Sequence, residues 1–135
     1  MRNLFYAALL FAAGVNTSFT SPGKVINLTV QYSFKNIVDG FDHDCRTQIY
    51  IDDELAGTST VKKESQSNSV TVPMKKGSHH VRVVNQALYE EDWEDHTVAN
   101  SYSIDCLYEA TIDLKKSASI TLLFDVDNGT TRIEE

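Results

Sequence analysis

Proline is scarce, two residues in 135, so no proline-rich linker divides the chain. Internal repeats and low-complexity blocks are missing too. No basic run exceeds two residues, as at Lys62-Lys63 and Lys75-Lys76, and 19 Asp and Glu outweigh 12 Lys and Arg. That balance argues against nucleic acid and anionic membrane as partners. The longest apolar run, residues 4–13, falls well short of the ~20 residues that span a bilayer. Catalytic signatures are lacking as well: no Gly-x-Ser-x-Gly elbow, Walker loop, His-Glu-x-x-His helix or dinucleotide fingerprint occurs. With 19 acids, carboxylate pairs arise by chance and carry no argument for glycoside hydrolysis. The inventory is that of a protein that is not an enzyme.

What the chain does contain is alternation. In residues 69–85, Val70 and Val72 alternate with Ser69 and Thr71, and Val81 and Val83 with His80 and Arg82, on either side of Lys75-Lys76-Gly77. Each run has one apolar and one wettable face, a period of two, and the two runs read as a hairpin. Pro73, which lacks an amide donor, is expected at the end of its strand, and Gly77 in the turn. Residues 25–34 place Ile26, Leu28, Val30, Tyr32 and Phe34 on one face, and residues 45–52 do the same for Cys45, Thr47, Ile49 and Ile51. Residues 36–44 form a loop around Asp39-Gly40, 55–61 a weaker strand, and 62–68 a polar, mobile connection. Further on, Cys106, Tyr108, Ala110, Ile112 and Leu114 share a face, and Ile120, Leu122, Phe124 and Val126 another, before Asp127-Asn128-Gly129 turns into a polar tail. Seven or eight short antiparallel strands of this spacing predict an all-β, immunoglobulin-like β-sandwich.

Tyr50, Ile51, Asp52, Gly57, Thr58, Pro73, Gly77, His79, Val81 and Val83 together resemble the pattern of PEGA-type domains, small extracytoplasmic β-sandwiches. Asp53 stands where that family has glycine, and Met74-Lys75-Lys76 replaces its short turn. The resemblance implies an accessory module of surface or envelope proteins and brings no active site with it.

The amino end supports export. Arg2, the apolar residues 4–13 and the small residues that follow predict a signal peptide over residues 1–14, cut there or a few residues later, and a single domain over 15–135. No cysteine stands directly after the apolar segment, so a lipid anchor is not indicated, and a periplasmic or secreted product without membrane insertion is expected. Loss of Arg2 leaves 11 Lys and Arg against 19 Asp and Glu, a formal charge of 11 − 19 = −8.

Cys45 and Cys106 both fall in phase with apolar faces. In an exported chain this predicts a disulfide between the two sheets, closing a loop worth about 4 kcal/mol in the chain-entropy model. The other reading is two free, buried thiols acting as small apolar groups. The spacing is similar to that of immunoglobulin domains, but Trp93 comes late in the interval and Ile104 occupies the tyrosine-corner position. Ig-like architecture follows, not antibody-type membership.

Residues 86–100 break the β rhythm as a helical turn or an excursion loop, with Tyr89 and Trp93 among Glu90, Glu91, Asp92, Glu94, Asp95 and His96. Two readings stand here. Tyr89 and Trp93 form a platform for a sugar ring, with Glu91, Asp92, Glu94 and Asp95 hydrogen-bonding hydroxyls or holding calcium; or the rings plug one end of the sandwich while the acids are solvated. His43, His79, His80 and His96 lack metal-ligand spacing, and residues 125–129 resemble half a calcium loop without its glutamate. No cofactor is expected. The sequence thus points to an exported binding or assembly module whose partner is a protein or a glycan, with 86–100 as its contact surface. The alternative is a lectin-like carbohydrate binder using the same loop.

Overall fold

The structure, a computed structural model, describes residues 23–134; the signal peptide read over 1–14 lies outside them. Ten strands run in order: β1 (Val25–Lys35), β2 (Asp44–Ile51), β3 (Glu54–Thr58), β4 (Lys62–Lys63), β5 (Asn68–Lys75), β6 (Gly77–Tyr89), β7 (Asp92–Asp95), β8 (Leu107–Leu114), β9 (Ala118–Asp125) and β10 (Gly129–Ile133). Among the described residues the only helix is a single 3₁₀ turn, Val98–Asn100.

The strands build two sheets. One has the order β10-β9-β1-β5, with β1 parallel to β9 and antiparallel to β5. The other is centred on the antiparallel pair β2 and β6; β3 and β4 lie along the free edge of β2, and β7 and β8 follow one another along the far edge of β6. Alternation decides what lies between the sheets: Leu28, Val30, Leu122 and Phe124 from the first meet Cys45, Ile49, Val81 and Val83 from the second, all buried in one core. A one-residue slip of any of these strands would turn its apolar set outward, which fixes the register.

Residues 69–85 form two strands as expected, but not a hairpin. β5 pairs with β1 and β6 with β2 and β8, so the Lys75-Lys76-Gly77 turn carries the chain from one sheet to the other. Gly77 makes the turn with φ of 120°, a conformation open to glycine. Val72 and Met74 on one side and Val81 and Val83 on the other still reach the same core. A period of two fixes which side chains are buried, not which strand lies alongside. Pro73 lies inside β5, opposite Asn27, rather than at its end. The position is tolerated because β5 is an edge strand and Asn27 sends its own N–H the other way, to Ser117 Oγ at 2.9 Å.

Three polar segments are more ordered than their composition implies. Within 62–68, β4 pairs with β2, Ser65 donates from its backbone and its hydroxyl to Asp42, and Glu64 and Asn68 are buried. The expected mobile loop is a pinned one. Residues 86–95 belong to a β6–β7 hairpin, turned by Glu90 (φ 48°) and Glu91 (φ 71°); two consecutive left-handed residues match the twist of paired strands. The polar tail pairs with β9 as β10.

Cys45 and Cys106 are both buried, but they are free thiols. They do not sit on facing sheets. Cys45 pairs with Ala87 on the β2 side of β6, while the carbonyl of Cys106 accepts from the Asn85 amide on the other side. Backbones two strand spacings apart are roughly 9–10 Å from each other, beyond the ~7 Å Cα limit of a disulfide. The in-phase apolar faces were real; the intervening strand prevents the bridge.

Candidate functional site

At the end of the sandwich where β1 finishes and the β6–β7 hairpin turns, five segments, one of them represented by Val126 after β9, enclose a cleft of about 570 Å³. The loop after β1 contributes Val38 and Phe41, both exposed, and the inner face of the hairpin contributes Tyr89 and Glu94. The pinned loop supplies Glu64, and the segment after β7 supplies His96 and Tyr102.

Local hydrogen bonds set each of these side chains. The Glu64 amide donates to the His43 carbonyl at 3.0 Å, continuing the β2–β4 pairing inward and burying the carboxylate to 2 % exposure. After β7, His96 keeps its amide on the Asn85 carbonyl at 2.9 Å, and the Cys106 amide donates back to the His96 carbonyl at 2.8 Å. Between them the chain loops out through the 3₁₀ turn, which is held by donation from the Val98 amide to Asp105 at 2.8 Å and from the Asn100 side chain to the Asp95 carbonyl at 2.8 Å. Ser101, with φ of 71°, reverses the chain and returns Tyr102 over the cleft. The Tyr102 ring lies 4.2 Å from the His96 ring, centroid to centroid, and its hydroxyl donates to Glu94 Oε1 at 2.7 Å. Phe34 backs His96 at 5.8 Å.

At the floor, His96 Nδ1 stands 3.2 Å from Glu64 Oε1, both side chains almost wholly buried. The approach is off the axis of a hydrogen bond, so neither atom has an aligned partner among the described residues. A buried polar atom left in that state costs free energy, of order 1–3 kcal/mol. The negative floor is felt around it. Burial foremost pushes up the Tyr102 hydroxyl, reinforced by its bond to Glu94 and by the charges of Glu94 and Glu64. Burial likewise raises Cys106, and the nearby Glu64 charge adds to it.

The six residues read from the sequence as a ligand surface do not share one face. In the β6–β7 pairing Trp93 lies opposite Leu88, and Tyr89 opposite Asp92, so the two rings occupy opposite faces of the hairpin. Trp93 packs beneath the Arg46 guanidinium, 4.4 Å from its ring centre, on the outer face, where Arg46 donates to Gln86 and Gln86 to Asp95. Glu91 is in the exposed turn, and Asp92 is exposed beside Tyr89. Only Tyr89 and Glu94 of the six reach the cleft. His43 and His96 join them there, while His79 and His80 sit at the far end of β6, bonded to Asp52 and Glu109. Asp125 clamps its turn, accepting foremost from Asn128, then from Asn36 and the Asp127 amide, which holds its carboxyl down to about 2.

Glu64 and Tyr102 were not legible as site residues. Glu64 is embedded in a polar stretch with no period, and Tyr102 in a short segment whose turn depends on a left-handed serine.

A scan against protein-family models and searches of curated proteins and of solved structures return no match for this chain.

Proposed function

We propose that the chain is an exported, immunoglobulin-like module, similar to PEGA-type domains, that binds a ligand without transforming it, and that the end cleft is where it binds. The observation that carries this reading is the cleft itself. Its volume of about 570 Å³ falls in the ~300–1,000 Å³ range of small-molecule sites, and an apolar wall with a few convergent polar groups is their usual make-up. Val38, Phe41 and Tyr89 leave more than half of their surface in water, at a free-energy cost that an occupant would relieve. The sugar-platform alternative loses its main support, because Tyr89 and Trp93 face apart.

The test is a fragment titration followed by NMR on the ¹⁵N-labelled chain, using uncharged aromatics, amines, carboxylates and monosaccharides. Shifts concentrated at residues 96–103 and 41–43, and abolished by Tyr102→Ala, are the expected result. Shifts centred on Arg46 and Trp93, or slow conversion of a fragment, would overturn the reading.

A further inference from the structure

We infer that the cleft selects an organic ammonium ion carrying an apolar, ring-sized body. This rests on the cleft being the binding site, and it names the chemistry of the occupant. Two carboxylates, Glu64 and Glu94, line the cavity, and no lysine or arginine stands among its described lining residues. The neighbouring cation Lys63 is engaged elsewhere, with Nζ 3.0 Å from Asp44.

Glu64 is the decisive group. It lines the cavity, it is 98 % withdrawn from water at 2 % exposure, and its Oε1 lacks an aligned donor. His96 Nδ1, 3.2 Å away, is in the same condition. Two such atoms at this separation make an arrangement that one ammonium group, with three tetrahedral donors, can bridge when the imidazole is neutral. A hydroxyl has one donor and satisfies one of them. A carboxylate has none and meets two like charges.

The walls favour the same occupant. Tyr102, Phe41 and Tyr89 line the cavity, and aromatic rings attract cations through their negative faces. A bare inorganic cation would leave the exposed Val38, Phe41 and Tyr89 side chains in water; an amine with an apolar body covers them as well as meeting the carboxylate. The formal charge of −7 for the whole chain also draws cations toward the protein.

Three probes that differ only at their polar end decide the matter: phenethylamine, 2-phenylethanol and 3-phenylpropanoate, titrated into the whole ¹⁵N-labelled chain and its Glu64→Gln variant. A charge-assisted contact at the buried Glu64 carboxylate predicts that the amine binds roughly tenfold or more tighter than the alcohol, that the propanoate does not bind, and that Glu64→Gln brings the amine to the level of the alcohol. Equal binding of amine and alcohol, both mapping to the cleft, overturns the ammonium inference and leaves the cleft as the binding site. If no probe moves cleft resonances, both readings fall. Should Glu64→Gln not fold, the probe series on the unaltered chain still separates amine from alcohol and propanoate, and equal binding of amine and alcohol overturns the inference as before.

Discussion

Gly57 in β3 and Val72 in β5 meet across the gap between the sheets so closely that a methyl group on Gly57 would stand 2.6 Å from Val72 Cγ1. Val72 is buried to 1 % exposure, and its branched side chain has few rotamers into which it can retreat. Overpacking of this kind costs about 1–3 kcal/mol. Gly57→Ala is therefore expected to lower the midpoint of denaturant unfolding without changing its slope. Val72→Ala should cost less in the Gly57→Ala background than alone, since it makes room for the new methyl. Strictly additive losses would mean that the two residues do not touch.

The separation of Cys45 and Cys106 by β6 gives a chemical prediction. Both thiols are buried, and burial above all holds Cys45 up at about 11, with the charges of Glu64, Asp42 and Asp44 adding to it against the side-chain bond from Asn85. Only thiolates react. The folded protein, purified without reductant, should be inert to a thiol reagent at neutral pH and yield two free thiols on unfolding, with the same melting temperature with and without dithiothreitol. A melting temperature that falls on reduction would require a bridge and a different path for residues 104–106.

The contrast between these two sites marks how far the sequence could be read. Burial was legible wherever a strand has one wet face: the inward residues of β1, β2, β8 and β9 are those that alternation picks out, because the pleat itself sets that period. Partnership was not. Neither the sheet change at Gly77 nor the placing of Cys45 and Cys106 on either side of β6 leaves a trace in a period of two. The cleft was the least legible part. Tyr89 and Trp93 are four apart, a spacing that brings rings together on a helix, but the two left-handed residues Glu90 and Glu91 make a tight hairpin that sets them back to back. Glu64 is buried by its backbone bond to His43 and by the Asp42–Ser65 clamp, contacts that a polar composition does not announce.

Acid should find a specific weak point at the β9–β10 turn. Side-chain donation from Asn128 and Asn36, aided by backbone amides, brings the Asp125 carboxyl down to about 2, against about 3.9 in an unfolded chain. With a depressed folded value, the unfolded state takes up the proton first. The stabilisation is thus complete above about pH 4 and is lost as pH falls toward 2. Asp125→Asn should show its largest deficit in stability near pH 5, shrinking steadily as pH falls to 2. A deficit that does not change with pH would mean that the loss is one of packing, not of charge.

At the opposite end of β6, the Asp52–His79 contact predicts the reverse slope. His79 Nδ1 lies 2.6 Å from Asp52 Oδ2, and its Nε2 lies 2.9 Å from the Lys75 carbonyl. Both partners are acceptors, which favours the doubly protonated ring, and the bond to Asp52 is the main reason that His79 is held above its usual value. Here the folded state holds the proton more tightly. The stabilisation is full below the unfolded value of about 6.5 and disappears as pH rises through the raised folded value. The pair is half open to solvent on the Asp52 side, so added salt should weaken it. Unfolding midpoints of the parent chain and of His79→Gln at pH 5.5, 7 and 9 should differ most at the lowest pH and converge at the highest. Asp52→Asn should remove most of that convergence, because the neutral amide no longer favours the charged ring. If His79→Gln instead costs the same at every pH, the imidazole acts as a neutral spacer between the β2–β3 turn and the Lys75 carbonyl.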